Sequence, residues 1–156
     1  MDVTVNVEGQ PRAPALSEAG AFLDSIGYSA RWLLAPNASL VLARREPGLP
    51  CGLGVATLDG PTAVLMSFAV HPDCRRLGIG RRMVEALISH LRSSGVRTAY
   101  LFSTVSGGFW ERVGFSRTPV EEVAAQAQGH FQVREFLAAG TIWSDHAYRR
   151  GLRGGE

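Results

Sequence analysis

Apolar and polar positions alternate and cluster along this chain in a way that predicts a sheet built around one amphipathic helix. Thr62 to Val70 is apolar almost throughout, with Gly60-Pro61 before it and His71-Pro72 after it, which predicts a buried strand. Met83, Val84, Leu87, Ile88 and Leu91 then recur at helical spacing, with Glu85, Ser89 and Arg92 between them, and Gly95 closes the helix. Upstream, Val3, Val5 and Val7 alternate with Thr4 and Asn6 as a first strand. Residues 9–14 break it. Ser17 with Glu18 starts a helix whose apolar face is Ala21, Phe22, Leu23 and Ile26, and Gly27 ends it. Residues 31–35 read equally as helix or loop.

Residues 39–43 and 52–58 form a hairpin around the turn at 44–48, and Thr62–Val70 follows after Asp59-Gly60-Pro61. Residues 98–104 are the next strand, parallel to Thr62–Val70 by the crossover rule. Residues 119–128 read as a helix, Gly129 as a break, and 131–137 have no definite element. Residues 141–148 can form a final strand, and 149–156 read as a frayed tail. These elements describe an α/β fold: one domain over residues 1–156, with a twisted mixed sheet of about six or seven strands flanked by helices.

Composition narrows the function classes. With 156 residues and 46% apolar content, the chain can bury a sizeable core. No apolar run reaches membrane-spanning length, and the N-terminus lacks the basic start and apolar stretch of a signal peptide. Cys51 and Cys74 imply no disulfide framework, so a cytoplasmic protein is the default expectation. A net charge of +2 does not by itself imply nucleic-acid binding. All 16 basic residues are arginine, which excludes a P-loop lysine, a Schiff-base lysine and a lysine general base. No grouping of His, Cys and carboxylates has metal-ligand spacing.

Arginine is concentrated at one place. Arg75-Arg76-Leu77-Gly78-Ile79-Gly80-Arg81-Arg82 joins the apolar strand to the amphipathic helix. A glycine loop entering a helix collects free backbone N–H groups and the positive end of the helix dipole at one point, which suits a phosphate. Gly78 and Gly80 let the backbone approach without a Cβ in the way, and the arginines add charge.

Val70-His71-Pro72-Asp73 followed by Arg75-x-x-Gly78-x-Gly80 resembles the acetyl-CoA signature of the GNAT family of N-acetyltransferases. Gly108-Phe109-Trp110-Glu111-Arg112-Val113-Gly114-Phe115 resembles that family's short helix ending in Gly-Phe. The resemblance covers residues 41–115 well and weakens at both ends. It implies a sheet splayed between strands 62–70 and 98–104, with CoA in the gap. It implies that Phe68, Ala69 and Val70 bond the pantetheine arm and offer an amide to the acetyl oxygen. Arg75, Arg76, Leu77, Gly78, Ile79, Gly80 and Arg81 would hold the pyrophosphate. Ser103, Phe109 and Trp110 would complete the cofactor site. Acetyl-CoA is the expected cosubstrate.

Two positions depart from the family's pattern. Ser67 stands where many members carry a glutamate base, and Trp110 where many carry a tyrosine that protonates the leaving thiolate. Serine is a poor base without a partner, and an indole N–H donates a hydrogen bond but is no useful acid. His146, with Asp145 and Trp143 near it, and His71 at a strand corner are the candidate bases. His90 reads as a surface residue, and His130 is the fourth histidine. Cys74, beside the loop, has no partner that would make it a nucleophile.

The resemblance implies direct acetyl transfer to the amino group of a small molecule, with amino-acid-like acceptors as one form. The alternatives are a non-catalytic acyl-CoA sensor on the same fold and a protein or peptide N-acetyltransferase. The arginine cluster alone motivates a nucleic-acid module. The expected partners are acetyl-CoA and an amine, with a homodimer as an option and neither nucleic acid nor membrane.

Overall fold

A computed structural model describes residues 2–46, 48–75, 77–103, 108–142 and 146–152. Arg76, Trp143 and Asp145 lie outside the described residues. The elements in chain order are β1 (Val3–Gly9), α1 (Ala13–Ser25), a 3-10 turn (Arg31–Leu34), β2 (Ala38–Arg45), β3 (Leu49–Asp59) and β4 (Thr62–Val70). They continue with α2 (Ile79–Ser93), β5 (Thr98–Ser103), α3 (Gly108–Arg112), β6 (Ser116–Thr118), α4 (Val120–Gln126), α5 (Phe131–Ala139) and β7 (His146–Gly151). The strands form one seven-stranded sheet in the order β1-β2-β3-β4-β5-β7-β6. Every pairing is antiparallel except β4 with β5.

The sheet is covered on both faces, which is why its strands read as near-continuous apolar runs. On one face α2 buries Ile79, Met83, Val84, Leu87, Ile88 and Leu91 against Val41, Ala43, Ala63, Leu65 and Leu101. Burying six such side chains contributes roughly 10 kcal/mol before chain entropy is counted. α2 sits close because β3 offers a glycine: a Cβ on Gly52 would meet Met83 Sδ at 2.6 Å. On the other face α1, α4 and α5 pack through Phe22, Leu23, Val123 and Val133 onto Leu40, Leu42, Leu53, Val55, Val64 and Tyr100. Among the described residues no helix is long and apolar enough to cross a membrane.

Several boundaries differ from the sequence reading. α1 begins at Ala13 rather than at Ser17, because Pro14 falls in the first turn, where a missing N–H costs nothing. Residues 131–137 do form a helix, α5, which Gly140 closes in the left-handed conformation. β7 is His146–Gly151 and so includes Arg149, Arg150 and Gly151, which had read as tail; of the strand expected at 141–148, residues 143–145 lie outside the described residues. Those residues pair with Tyr100, Ala99 and Thr98, and Arg149 and Arg150 are held by Glu122 and Glu85. His90 is half-buried rather than a surface residue: its Nε2 lies 3.0 Å from Ser39 Oγ and ties α2 to β2.

Candidate active site

The site forms where β4 leaves β5. Their parallel ladder runs from Thr62↔Thr98 to Leu65↔Leu101 and stops, while β4 continues to Val70 and β5 to Ser103. The expected splay is therefore present. Beside it, the β3–β4 register passes from Val55↔Met66 to Leu53↔Ala69. Gly54 thus faces two residues, Ser67 and Phe68, and Ser67 takes the left-handed conformation with φ 57°. This is a β-bulge, and it has two effects. The extra residue takes backbone polar groups out of the ladder. It also reverses the parity of the strand. Strict alternation would put Phe68 on the face of Met66. Instead Met66 and Ala69 pack with the α1 side, whereas Phe68 and Val70 pack with the α2 side.

The loop after β4 leads into α2. His71 N–H donates to Cys51 C=O at 2.8 Å, and Cys74 N–H donates back to His71 C=O at 2.8 Å, which turns the chain. Gly78 is the N-cap of α2, with φ 72° and ψ 13° and no capping side chain. No acidic residue occupies the first turn, where Arg81 and Arg82 stand against the helix dipole. Arg82 reaches away to Val3 C=O at 2.9 Å. Arg81 stays at the helix start, and its Nη2 donates to Arg112 C=O at 3.3 Å. A cavity of about 480 Å³ opens there, lined by Val70, Cys74, Arg75, Gly78, Ile79, Gly80, Arg81, Phe109, Arg112 and Val113. Three guanidiniums, no carboxylate and an apolar floor make it a site for an anion attached to an apolar body.

The two loop glycines have different physical reasons. Gly78 needs its positive φ, and a Cβ there would meet nothing within 4 Å. Gly80 permits close packing: a Cβ would come 3.1 Å from Phe109 Cε1, so α3 could not close over the start of α2.

α3 carries Trp110 into a cluster of rings. Trp110 lies 5.3 Å from Phe68, 5.0 Å from Phe109 and 5.5 Å from Phe115, edge to face in each case. It is half-buried and closes the splayed end of β4 on the cavity side.

The histidines serve separate neighbourhoods. His146 pairs with Ser103 across β5–β7, and its Nδ1 lies 2.8 Å from Arg117 Nη2. A guanidinium only donates, so Nδ1 accepts and the neutral ring carries its proton on Nε2. His71 Nδ1 accepts from Asp73 N–H at 3.1 Å, and the residue lines a different cavity with Glu18, Phe22 and Arg45. His130 is buried between Thr57 Oγ1 at 2.7 Å and Thr62 Oγ1 at 2.8 Å. Burial pushes His130 down to about 4, so it is neutral at physiological pH. Burial, and then Cys74, push the Cys51 thiol up to about 11, which suits a packing role rather than a nucleophile.

Of the residues expected at the cofactor site, Val70, Arg75, Gly78, Ile79, Gly80, Arg81 and Phe109 share the cavity. Phe68 and Trp110 stand beside it, Leu77 is solvent-exposed, and Ala69 faces the other side of the sheet. Ser103 lies on the diverging end of β5. Arg112, Cys74, Val113 and Gly54 were not expected. Arg112 had a signal, since it lies in the same Gly-Phe segment as Trp110. Gly54 had none, because its partner Phe68 is brought to it by the bulge.

Comparison with known proteins agrees with this geometry. A model of the acetyltransferase (GNAT) family matches residues 12–115. Serotonin N-acetyltransferase 2 of Oryza sativa subsp. japonica is 34% identical over 79 residues, which is 49% of this chain and 40% of that protein. The ribosomal protein bS18 alanine N-acetyltransferase of Salmonella typhimurium is 36% identical over 73 residues, 44% of this chain and 49% of that protein. The chain therefore spans less than half the length of either relative. A structure of a Mycobacterium tuberculosis protein in complex with CoA superposes with a TM-score of 0.71 at 18% identity, covering 96% of this chain and 99% of that one. With a family match over two thirds of its length, on a splayed and bulged sheet ending in a cationic glycine loop, the chain belongs to the GNAT acetyltransferase family.

Proposed function

We propose that this chain is an acetyl-CoA-dependent N-acetyltransferase that moves the acetyl group directly to the amine of a small molecule, amino-acid-like amines included. The observation that carries the reading is the continuity of the cationic cavity with the splayed strand. Val70 ends β4 and also lines the cavity at the uncapped start of α2. A ligand with phosphates at one end and an apolar arm at the other fits this shape. The phosphates would meet the first-turn amides of α2 with Arg75, Arg81 and Arg112. The arm would run along Phe68 and Val70 toward Trp110. Arg76 is proposed with the loop arginines on sequence grounds alone.

The acetyl group would stand at the bulge, where the backbone donors released near Ser67 and Phe68 are what this chain offers to developing negative charge. Trp110 forms a wall that excludes water and can donate one hydrogen bond. His146 is the proposed proton relay closest to the diverging strands. It holds a proton at Nε2 and accepts at Nδ1 only when Arg117 yields. His71, facing a separate cavity, is proposed only as a second base.

The test joins calorimetry of acetyl-CoA binding to thiol release with an amine panel. Micromolar binding with turnover of at least one amine is the expected result. Binding without turnover of any amine favours the second reading, a non-catalytic acyl-CoA sensor. The specific observation behind that alternative is Ser67 and Trp110 at the positions of the family's usual base and acid.

A further inference from the structure

We infer that the acceptor is an amine carried on an aromatic ring, held by Phe102, Phe136 and Trp32 on the sheet face opposite the cationic cavity; this rests on the acetyl-transfer reading above. The gap between β4 and β5 begins after the rung Leu65↔Leu101, beyond which the two strands no longer pair, and the acceptor would reach the acyl group through it. The cavity side of the gap carries Phe68, Val70 and Phe109. The other side carries Met66, Ala69 and Phe102. Phe102 directly follows Leu101, the last β5 residue paired with β4, and is half-buried. An acyl group delivered into the gap from the cationic side therefore meets its acceptor among these three residues.

The wall beyond them is aromatic. Phe102 lies 5.5 Å from Phe136, and Phe136 lies 5.9 Å from Trp32 at an interplanar angle of 83°. Trp32 lies 5.6 Å from Phe131 at 71°. The four rings come from β5, α5 and the 3-10 turn, and each is half-buried. Rings packed edge to face around Trp32 and tilted at Phe102–Phe136, with part of each left uncovered, can take in one more ring by similar geometry.

The charges on this face disfavour a substrate carboxylate. Arg31 lies 4.6 Å over the Trp32 ring, and its Nη2 donates to Glu135 Oε2 at 2.9 Å. Arg149 pairs with Glu122 at 3.2 Å, and Arg134 donates to the carbonyls of Gln128 and Gly129. The guanidiniums carried by the elements packed here are thus engaged. Among the described residues of this face the guanidiniums already have partners, so an amino acid's carboxylate would have to displace one of them, whereas an arylalkylamine brings only a ring and an amine.

The experiment measures kcat/KM at saturating acetyl-CoA for 2-phenylethylamine and tryptamine against n-hexylamine and L-phenylalanine. The two aryl amines are expected to lead by about tenfold or more. Phe102→Leu and Phe136→Leu should each lower the aryl-to-alkyl ratio by about fivefold through the amine KM, with the acetyl-CoA KM moved by less than about twofold. Circular dichroism checks that both variants fold. Saturation-transfer NMR of tryptamine with the CoA-loaded protein reports binding independently of turnover. Equal or better use of L-phenylalanine or n-hexylamine overturns the inference, as does an unchanged ratio in both folded variants. Acetyl-CoA binding with neither tryptamine binding nor aryl acetylation also overturns it while leaving the cofactor reading intact. Absence of acetyl-CoA binding overturns both.

Discussion

Phe68 lies over Gly54 across the β3–β4 bulge, so closely that a Cβ on Gly54 would stand 2.6 Å from Phe68 Cζ. The same ring packs 5.3 Å from Trp110. Gly54→Ala must therefore move Phe68, and Phe68 must move Trp110. Overpacking of this kind costs about 1–3 kcal/mol. The expected outcome is a lower Tm and a loss of about tenfold in acetyl-transfer kcat, because a small misplacement at the bulge spoils alignment. Thermal melts and steady-state thiol release check it. An unchanged kcat would mean that Phe68 does not position the reacting end.

The cavity arginines should act as charge. Arg112→Ala and Arg81→Ala are each expected to weaken acetyl-CoA binding by about tenfold at low salt. The loss should shrink near 1 M salt, where the Debye length falls to about 3 Å. Titration calorimetry at two ionic strengths reads this out. A loss independent of salt would point to shape instead.

Gly78→Ala and Gly80→Ala should separate. Ala at Gly78 meets no neighbour but keeps a left-handed backbone, which costs about 1–2 kcal/mol of stability. Ala at Gly80 pushes on Phe109 and should loosen acetyl-CoA binding more than it lowers Tm. Equal effects of the two changes on affinity would contradict this division of roles.

Trp110→Phe keeps an aromatic ring among Phe68, Phe109 and Phe115 and loses the indole N–H with part of the ring area. It should retain most of kcat. Trp110→Ala should lose acetyl-CoA affinity through packing, and Trp110→Tyr should raise kcat by supplying a phenol acid, a role commonly worth on the order of a hundredfold. Abolished turnover in Trp110→Phe with intact affinity would show that the N–H has a direct chemical part.

His130 sets a pH dependence of stability. Its pKa falls from 6.5 in the unfolded chain to about 4 when folded, chiefly because burial disfavours the charged ring. Between those values the unfolded state binds more protons, so stability rises with pH across the window and is lost as pH drops through it. The full difference is on the order of 3 kcal/mol. Urea unfolding from pH 7.5 to 4.5 should show the loss, and His130→Gln should flatten it. An unchanged slope in that variant would assign the effect elsewhere.

Legibility followed range along the chain. The glycine loop could be read because its strand, turn and helix are adjacent, and each signal is local. The splay needed the resemblance, since the end of one ladder leaves no mark on composition. The bulge left none either, because one extra residue in an apolar run such as Thr62–Val70 does not disturb the pattern of apolar types. β7 was misjudged for the opposite reason. Arg149 and Arg150 look like a solvated tail until Glu122 and Glu85 are brought to them by the fold. β6, at three residues, is too short to carry a period.

The arginine lining of the cavity has a chemical consequence. Arg75, Arg81 and Arg112 line the phosphate end of the proposed cofactor site, and a reactive thioester would be carried past them to its other end. A lysine in any of these positions would be an amine exposed to an acetyl donor on its way in or out, and each acetylation would erase a positive charge. Guanidinium stays protonated at any working pH and has no nucleophilic lone pair to offer. The chain has no lysine anywhere, so no ε-amino group can be acetylated by its own cosubstrate.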